Sequence, residues 1–143
     1  MTLNEPAALS ERSAAAMRSG DAALDFCGIE VVEVGAGCAR AHMAVTPRML
    51  NGHGVAHGGF VFILADTAFA YACNSEGEPT VARQCEITFL RPARAGDDLI
   101  ADAAVRTRAG RSGIYDVRVC DQKGTVIAEL RGHSATFERR SQG

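Results

Sequence analysis

The spacing of apolar positions changes character twice along the chain, and each change marks a different kind of element. From Pro6 to Ser19 the spacing fits a helix, with Pro6 suited to a first turn and Gly20 placed to end it. Asp21–Phe26 adds one further turn. Ile29–Val34 and Cys38–Val45 are rich in β-branched residues and flank Gly35-Ala36-Gly37, which predicts a hairpin. Thr46–His57 carries Pro47, Gly52 and Gly54 and reads as loop. The run that follows, Gly58 to Cys73, is too long for a typical strand and is studded with alanine, so it predicts a helix closed by Asn74-Ser75 and Gly77. Four strands are expected after it, at Thr80–Leu90, Asp98–Arg108, Gly113–Asp121 and Thr125–Phe137, separated by proline and glycine breaks.

This order predicts an α+β fold with an antiparallel sheet in a single domain over 1–143, with an N-terminal helix in 1–20 and a central helix in 58–75. The central helix is apolar on every side and cannot lie on a surface. The sheet has to wrap it, another subunit has to cover part of it, or both.

Composition narrows the class. Apolar residues make up 47% and charged residues 22%, ordinary for a globular protein, and the net charge of −2 with interspersed signs offers no basic stripe for nucleic acid. No apolar run approaches the roughly 20 residues needed to cross a bilayer, and Met1–Ser19 lacks the basic start and apolar core of a signal peptide. The five cysteines are odd in number and widely spaced, as expected of reduced thiols in a cytoplasmic protein. No clustered His, Cys or Asp ligands suggest a metal, and neither G-x-G-x-x-G nor G-x-S-x-G occurs.

Two features carry candidate chemistry. Asp66 is the only charged residue between Gly58 and Cys73, and an ionised carboxylate in such surroundings is costly unless it is paired. Burial pattern alone leaves two roles open: a structural Asp bonded to backbone or to Thr67, or reaching solvent, and a functional carboxylate tuned by desolvation. The second feature is His57-Gly58-Gly59, where the first turn of the helix presents unpaired N–H groups without bulky side chains, as an oxyanion would require. Asp66 lies eight residues beyond Gly58, about 12 Å along a helix axis. One side chain cannot span that distance, so if both features are functional, two helices must pack antiparallel across a twofold axis.

Asn51-x-x-Gly54-x-x-His57-Gly58-Gly59, then Leu64-Ala65-Asp66 and Ala68-Phe69-Ala70, resembles the hot-dog-fold acyl-CoA thioesterases. Ala70 to Ser75, Phe89-Leu90-Arg91-Pro92, Ala95-Gly96-Asp97 and Gly113 to Asp116 bring it nearer to the PaaI-type thioesterases of bacterial phenylacetic acid degradation. The resemblance spans about Met17 to Phe137. It implies a sheet wrapped around one long helix and hydrolysis of acyl-CoA thioesters, of phenylacetyl- or hydroxyphenylacetyl-CoA type. It also implies Asp66 as nucleophile or general base, Asn51 as the residue orienting that carboxylate or the water, and the Gly58 N–H as oxyanion donor with His57 beside it. Gly59, Arg91, Arg111, Ser112 and Gly113 become the substrate-binding candidates. No cofactor is expected beyond the CoA of the substrate. The expected assembly is a homo-oligomer with sites shared across a dimer interface, taken as a tetramer. A related human thioesterase has serine where this chain has Ala82, which removes that water-positioning hydroxyl. Two rival readings remain at this level: a hydratase or dehydratase on the same fold, and a non-catalytic acyl-CoA sensor.

Overall fold

A computed structural model describes residues 5–137. Helix α1 (Glu5–Ser19) and the short α2 (Ala22–Cys27) precede the hairpin β1 (Ile29–Gly35) and β2 (Cys38–Ala44). A 3-10 turn at Pro47–Met49 sits in the loop before α3 (Gly58–Cys73), and β3 (Thr80–Phe89), β4 (Asp98–Ala109), β5 (Ser112–Cys120) and β6 (Val126–Thr136) follow. The strands form one six-stranded sheet in the order β1-β2-β4-β5-β6-β3, with every neighbouring pair antiparallel. The strands therefore leave β1 and β3 as the two edges.

The sheet wraps α3, which touches all six strands. Val61, Leu64, Ala65, Ala68, Phe69 and Ala72 are buried against it. At about 1.5–3 kcal/mol for each large apolar side chain removed from water, this helix is the centre of the core. Both ends of α3 are fastened. His57 caps the start, its Nδ1 accepting the Gly59 N–H at 3.1 Å. At the other end the Asn74 side chain donates to the carbonyls of Ala70 and Thr80 and accepts the Thr80 N–H, all at 2.9 Å, so the helix end is tied to the start of β3. The Ser75 hydroxyl donates to the Ala72 carbonyl and accepts the Gly37 N–H, joining the same end to the β1–β2 turn.

One stripe of α3 escapes the sheet. Gly59 is exposed, and Phe62, Ile63, Asp66 and Ala70 are only partly covered, at intervals of three and four residues that place them on one side. This stripe lies next to the edge strand β3, whose own large apolar residues are open: Val81 is 46% exposed and Phe89 51%. The opposite face of the sheet is polar. Arg131 holds Asp116 with two hydrogen bonds at 2.8 and 3.1 Å, and Arg40–Asp102 and Arg118–Glu129 cross neighbouring strands. Such exposed pairs add little stability, but they mark that face as solvated.

Phe69, fully buried, fits because β6 carries glycine opposite it. A Cβ placed on Gly132 would lie 2.7–2.9 Å from three atoms of the Phe69 ring. Gly132→Ala is therefore expected to destabilise the fold by about 1–3 kcal/mol through overpacking, with part of the loss recovered in Gly132→Ala/Phe69→Leu. Urea unfolding at fixed protein concentration measures both, and an unchanged midpoint in the single variant would refute the contact.

Candidate active site

Asp66 sits midway along α3 on its half-covered stripe, facing β3. No hydrogen bond among the described residues reaches its carboxylate, and the Thr67 hydroxyl is already spent on the Ile63 carbonyl at 2.7 Å. Of the structural roles left open above, bonding to backbone or to Thr67 is thus not adopted, while the partial exposure of Asp66 keeps its carboxylate in reach of solvent. Burial holds its pKa above the ordinary carboxylate value of 3.8. Two thiols share this half-dry space. Burial pushes the Cys73 thiol up to about 12, with the Asp66 charge adding to the effect. Cys85, on β3, is raised first by burial and then by Asp66.

At the start of α3 the donors are unequally committed. The Gly59 N–H goes to His57 Nδ1 and the Phe60 N–H to the His57 carbonyl at 2.9 Å. Because Nδ1 accepts, its lone pair is unprotonated in this arrangement and a neutral ring carries its proton on Nε2. No hydrogen bond among the described residues uses the Gly58 N–H. Of the glycine pair singled out from sequence, Gly58 keeps a donor aimed out of the helix end and Gly59 does not. The Phe89 ring stands over this glycine: a Cβ built on Gly58 would lie 3.0 Å from its Cζ and 3.4 Å from both Cε atoms.

Asn51 shapes its own loop. Its Oδ1 accepts the N–H groups of His53 at 2.9 Å and Val55 at 3.3 Å, and its backbone N–H donates to the Val55 carbonyl at 2.8 Å. The loop is pinned in turn by Ala56 N–H to the Ala93 carbonyl and His57 N–H to the Met49 carbonyl, both 2.7 Å. Its side-chain carbonyl is therefore taken, which leaves the amide NH2 as the part of Asn51 able to act on another group.

The substrate-binding candidates fall at opposite ends of α3. Arg91 follows β3 at the Gly58 end, exposed, with its guanidinium on the Val126 carbonyl at 3.3 Å. Arg111, Ser112 and Gly113 lie at the β4–β5 turn, and line a cavity of about 130 Å³ with Cys73 at the far end of the helix. The sixteen residues of α3 put roughly 24 Å between the two ends.

Sequence reading passed over Cys73, Cys85 and Phe89 as site-forming groups. The alternation of Cys85, Ile87 and Phe89 along β3 does place them on one face of that strand. What it cannot supply is that this face looks onto α3.

Residues 53–128 match the family model described as the thioesterase superfamily. The chain is 47% identical over 123 residues to the acyl-coenzyme A thioesterase PaaI of Escherichia coli, covering 86% of this chain and 88% of that protein. The solved structure of the E. coli PaaI protein from the phenylacetic acid degradation operon superposes with a TM-score of 0.92 at 43% identity, covering 94% of this chain and 97% of that one. A Streptococcus mutans protein solved with acetyl CoA bound superposes at 0.74 with 26% identity, over 79% of this chain and 91% of that chain.

A carboxylate whose folded pKa is raised costs stability when it ionises. That cost is absent below the ordinary carboxylate pKa and grows as pH rises through the window up to the raised value. Asp66→Asn is expected to melt above the wild type at pH 7, with the gap closing as pH falls below about 4. A melting temperature lower than wild type at pH 7 would contradict the desolvated carboxylate.

Proposed function

The chain belongs to the thioesterase superfamily, as a hot-dog-fold acyl-CoA thioesterase of the PaaI type, and from that membership we propose that it hydrolyses phenylacetyl- or hydroxyphenylacetyl-CoA at a site shared by two subunits. The observation that carries the shared site is Asp66 itself: partly buried, without a hydrogen-bond partner among the described residues, and set beside an open sheet edge eight residues from the free Gly58 N–H.

A twofold axis that brings Asp66 of one chain to Gly58 of the other passes near position 62 of α3, midway between them. On β3, Phe89 marks the Gly58 end and Cys85 the Asp66 end, so the same axis passes near Ile87. Two β3 strands then pair antiparallel about Ile87, satisfying that part of the edge and covering Phe62, Ile63 and Phe89 at once. The arrangement also sets the Asn51 loop and Arg91 of one subunit toward the Arg111–Gly113 turn of the other, which supports a CoA tail lying along the interface. Two such dimers form the tetramer in this reading. Phe26, 85% exposed, and Val32 on the β1 edge supply apolar surface away from β3. The five unpaired cysteines support a cytoplasmic location.

In this site the thioester carbonyl oxygen accepts the Gly58 N–H, which stabilises the charge that develops on it at the positive end of the helix dipole. Asp66 either takes a proton from water as that water attacks the carbonyl carbon, or attacks it directly and is released by water. In both routes the C–S bond breaks, CoA leaves as thiolate and takes up a proton, and the acid is released. Arg91, Arg111, Ser112 and Gly113 hold the CoA portion, and no metal or redox cofactor enters the step.

Thiol release from phenylacetyl-, hydroxyphenylacetyl-, benzoyl- and straight-chain acyl-CoAs tests the reaction. A hydratase or a sensor would release none, and a tenfold aryl preference corresponds to about 1.4 kcal/mol in the transition state. Asp66→Asn and Asp66→Ala are expected to lower kcat by about a hundredfold or more with the fold intact. Gly58→Pro compared with Gly58→Ala isolates the oxyanion donor, since both carry the Cβ that meets Phe89 and only proline lacks the N–H. Proline is tolerated at a first helical position, and His57 already has the extended backbone that a following proline requires, φ −59° and ψ 135°. Its kcat is expected to fall about 10²–10³-fold below that of Gly58→Ala. Sedimentation of the active enzyme should show a dimer or tetramer. Full activity in a monomer at high dilution would defeat the shared site.

A further inference from the structure

Phe89 has no role in the proposed mechanism so far, yet its placement is unusual for so large an apolar residue. The ring is half exposed at the end of an edge strand, and its tip occupies the side of Gly58 where a Cβ would point, next to the candidate oxyanion donor. The backbone beneath it is rigidly held. Phe89 pairs with Ala128 in the β3–β6 ladder, and the next two N–H groups, of Leu90 and Arg91, both converge on the Ile127 carbonyl at 2.8 and 3.2 Å. A strand end pinned in this way presents the ring from a fixed platform rather than from a mobile loop.

The contact also explains why position 58 is glycine in the presence of this ring. An alanine Cβ would meet Cζ at 3.0 Å, so the ring would have to give by a few tenths of an ångström. The ring meets Gly58 tip first, and the edge of an aromatic ring is its electropositive side. On the proposed reading that edge stands beside the backbone unit where negative charge develops, and the ring covers that side of the helix start.

We propose that Phe89 is a positioning residue of the thioester site: its ring buttresses the first turn of α3 against Gly58 and walls one side of the space in front of the Gly58 N–H. The contact lies within one chain. It rests on the reading of Gly58 as oxyanion donor, but it does not require a particular register between subunits.

The test compares Phe89→Ala, Phe89→Leu, Gly58→Ala and the double variant Gly58→Ala/Phe89→Ala with wild type, using phenylacetyl-CoA and a thiol-release assay. Sedimentation is run in parallel so that assembly is compared at equal concentration. With assembly unchanged, Phe89→Ala is expected to lower kcat about tenfold or more while KM moves less than about threefold, since misplacement of a catalytic group by even 1 Å can cost two orders of magnitude. Phe89→Leu, which keeps the bulk, should recover most of that loss. Gly58→Ala retains its N–H, so its defect should come through the displaced ring and not add to the loss already present in Phe89→Ala. A kcat within twofold of wild type in Phe89→Ala overturns the proposal. So do strictly additive losses in the double variant, or a loss that Phe89→Leu leaves in place with assembly intact. If instead Gly58→Pro is no less active than Gly58→Ala, the oxyanion assignment fails first, because the two share the Cβ and differ in the N–H, which separates the two outcomes.

Discussion

A helix with one charged residue in sixteen survives in water only if nearly its whole circumference is covered, and covering α3 is the constraint from which the rest of this structure follows. The six strands curl around it and remove most of its surface. Its two ends are tied down by His57 at the start and by Asn74 and Ser75 at the finish, so the helix cannot slide within the sheet. What remains is a single stripe beside the edge strand β3, and that stripe contains the only charge. The same geometry that makes the core leaves one apolar surface incomplete, and places Asp66 in the middle of it.

The element order was readable because each segment keeps its own period for long enough. The apolar run from Gly58 admits no surface position, and the paired breaks around the later strands separate them cleanly. The site was less readable, for a reason that is physical. Which residues meet across elements depends on register, and a slip of one residue along a strand turns every side chain to the other face. Irregularities in β3 between Ala82 and Gln84, and in β4 between Val105 and Thr107, shift that register without any obvious sign in the sequence. Asp66 and Gly58 stood out from composition alone, being a lone charge and a bare backbone. Phe89 and Cys85 did not, because an aromatic residue and a thiol in a strand look like ordinary core until β3 is found lying along α3.

Hydrogen bonding also redistributed the roles suggested by the motif. The bare residue pattern offers His57-Gly58-Gly59 as one group of backbone donors, whereas the structure divides it. His57 turns back to cap the helix and consumes the Gly59 donor, leaving the Gly58 N–H as the uncommitted group. Asn51 commits its carbonyl to the turn that carries the chain toward His57. Both residues thereby act on the same point, since each fixes the direction in which the helix start is presented. Arg91 and the Arg111–Gly113 turn sit at opposite ends of α3, and on the proposed reading they serve a ligand laid across two subunits.

The position of the carboxylate is where stability and chemistry conflict. Partly burying Asp66 with no hydrogen-bond partner among the described residues raises the free energy of its charged form, and an asparagine would serve the isolated fold better. On the proposed reading this cost is what makes the group reactive, because a desolvated carboxylate is a stronger base than a solvated one. The helix arithmetic adds a further constraint. A donor at the first residue of a helix and a base two turns later cannot serve one substrate atom within the same chain. A twofold axis between antiparallel copies removes that conflict, and it does so on the one stripe that the sheet leaves uncovered. On the proposed reading the same surface serves dimerisation twice over, once to keep the helix dry and once to bring the base to the donor.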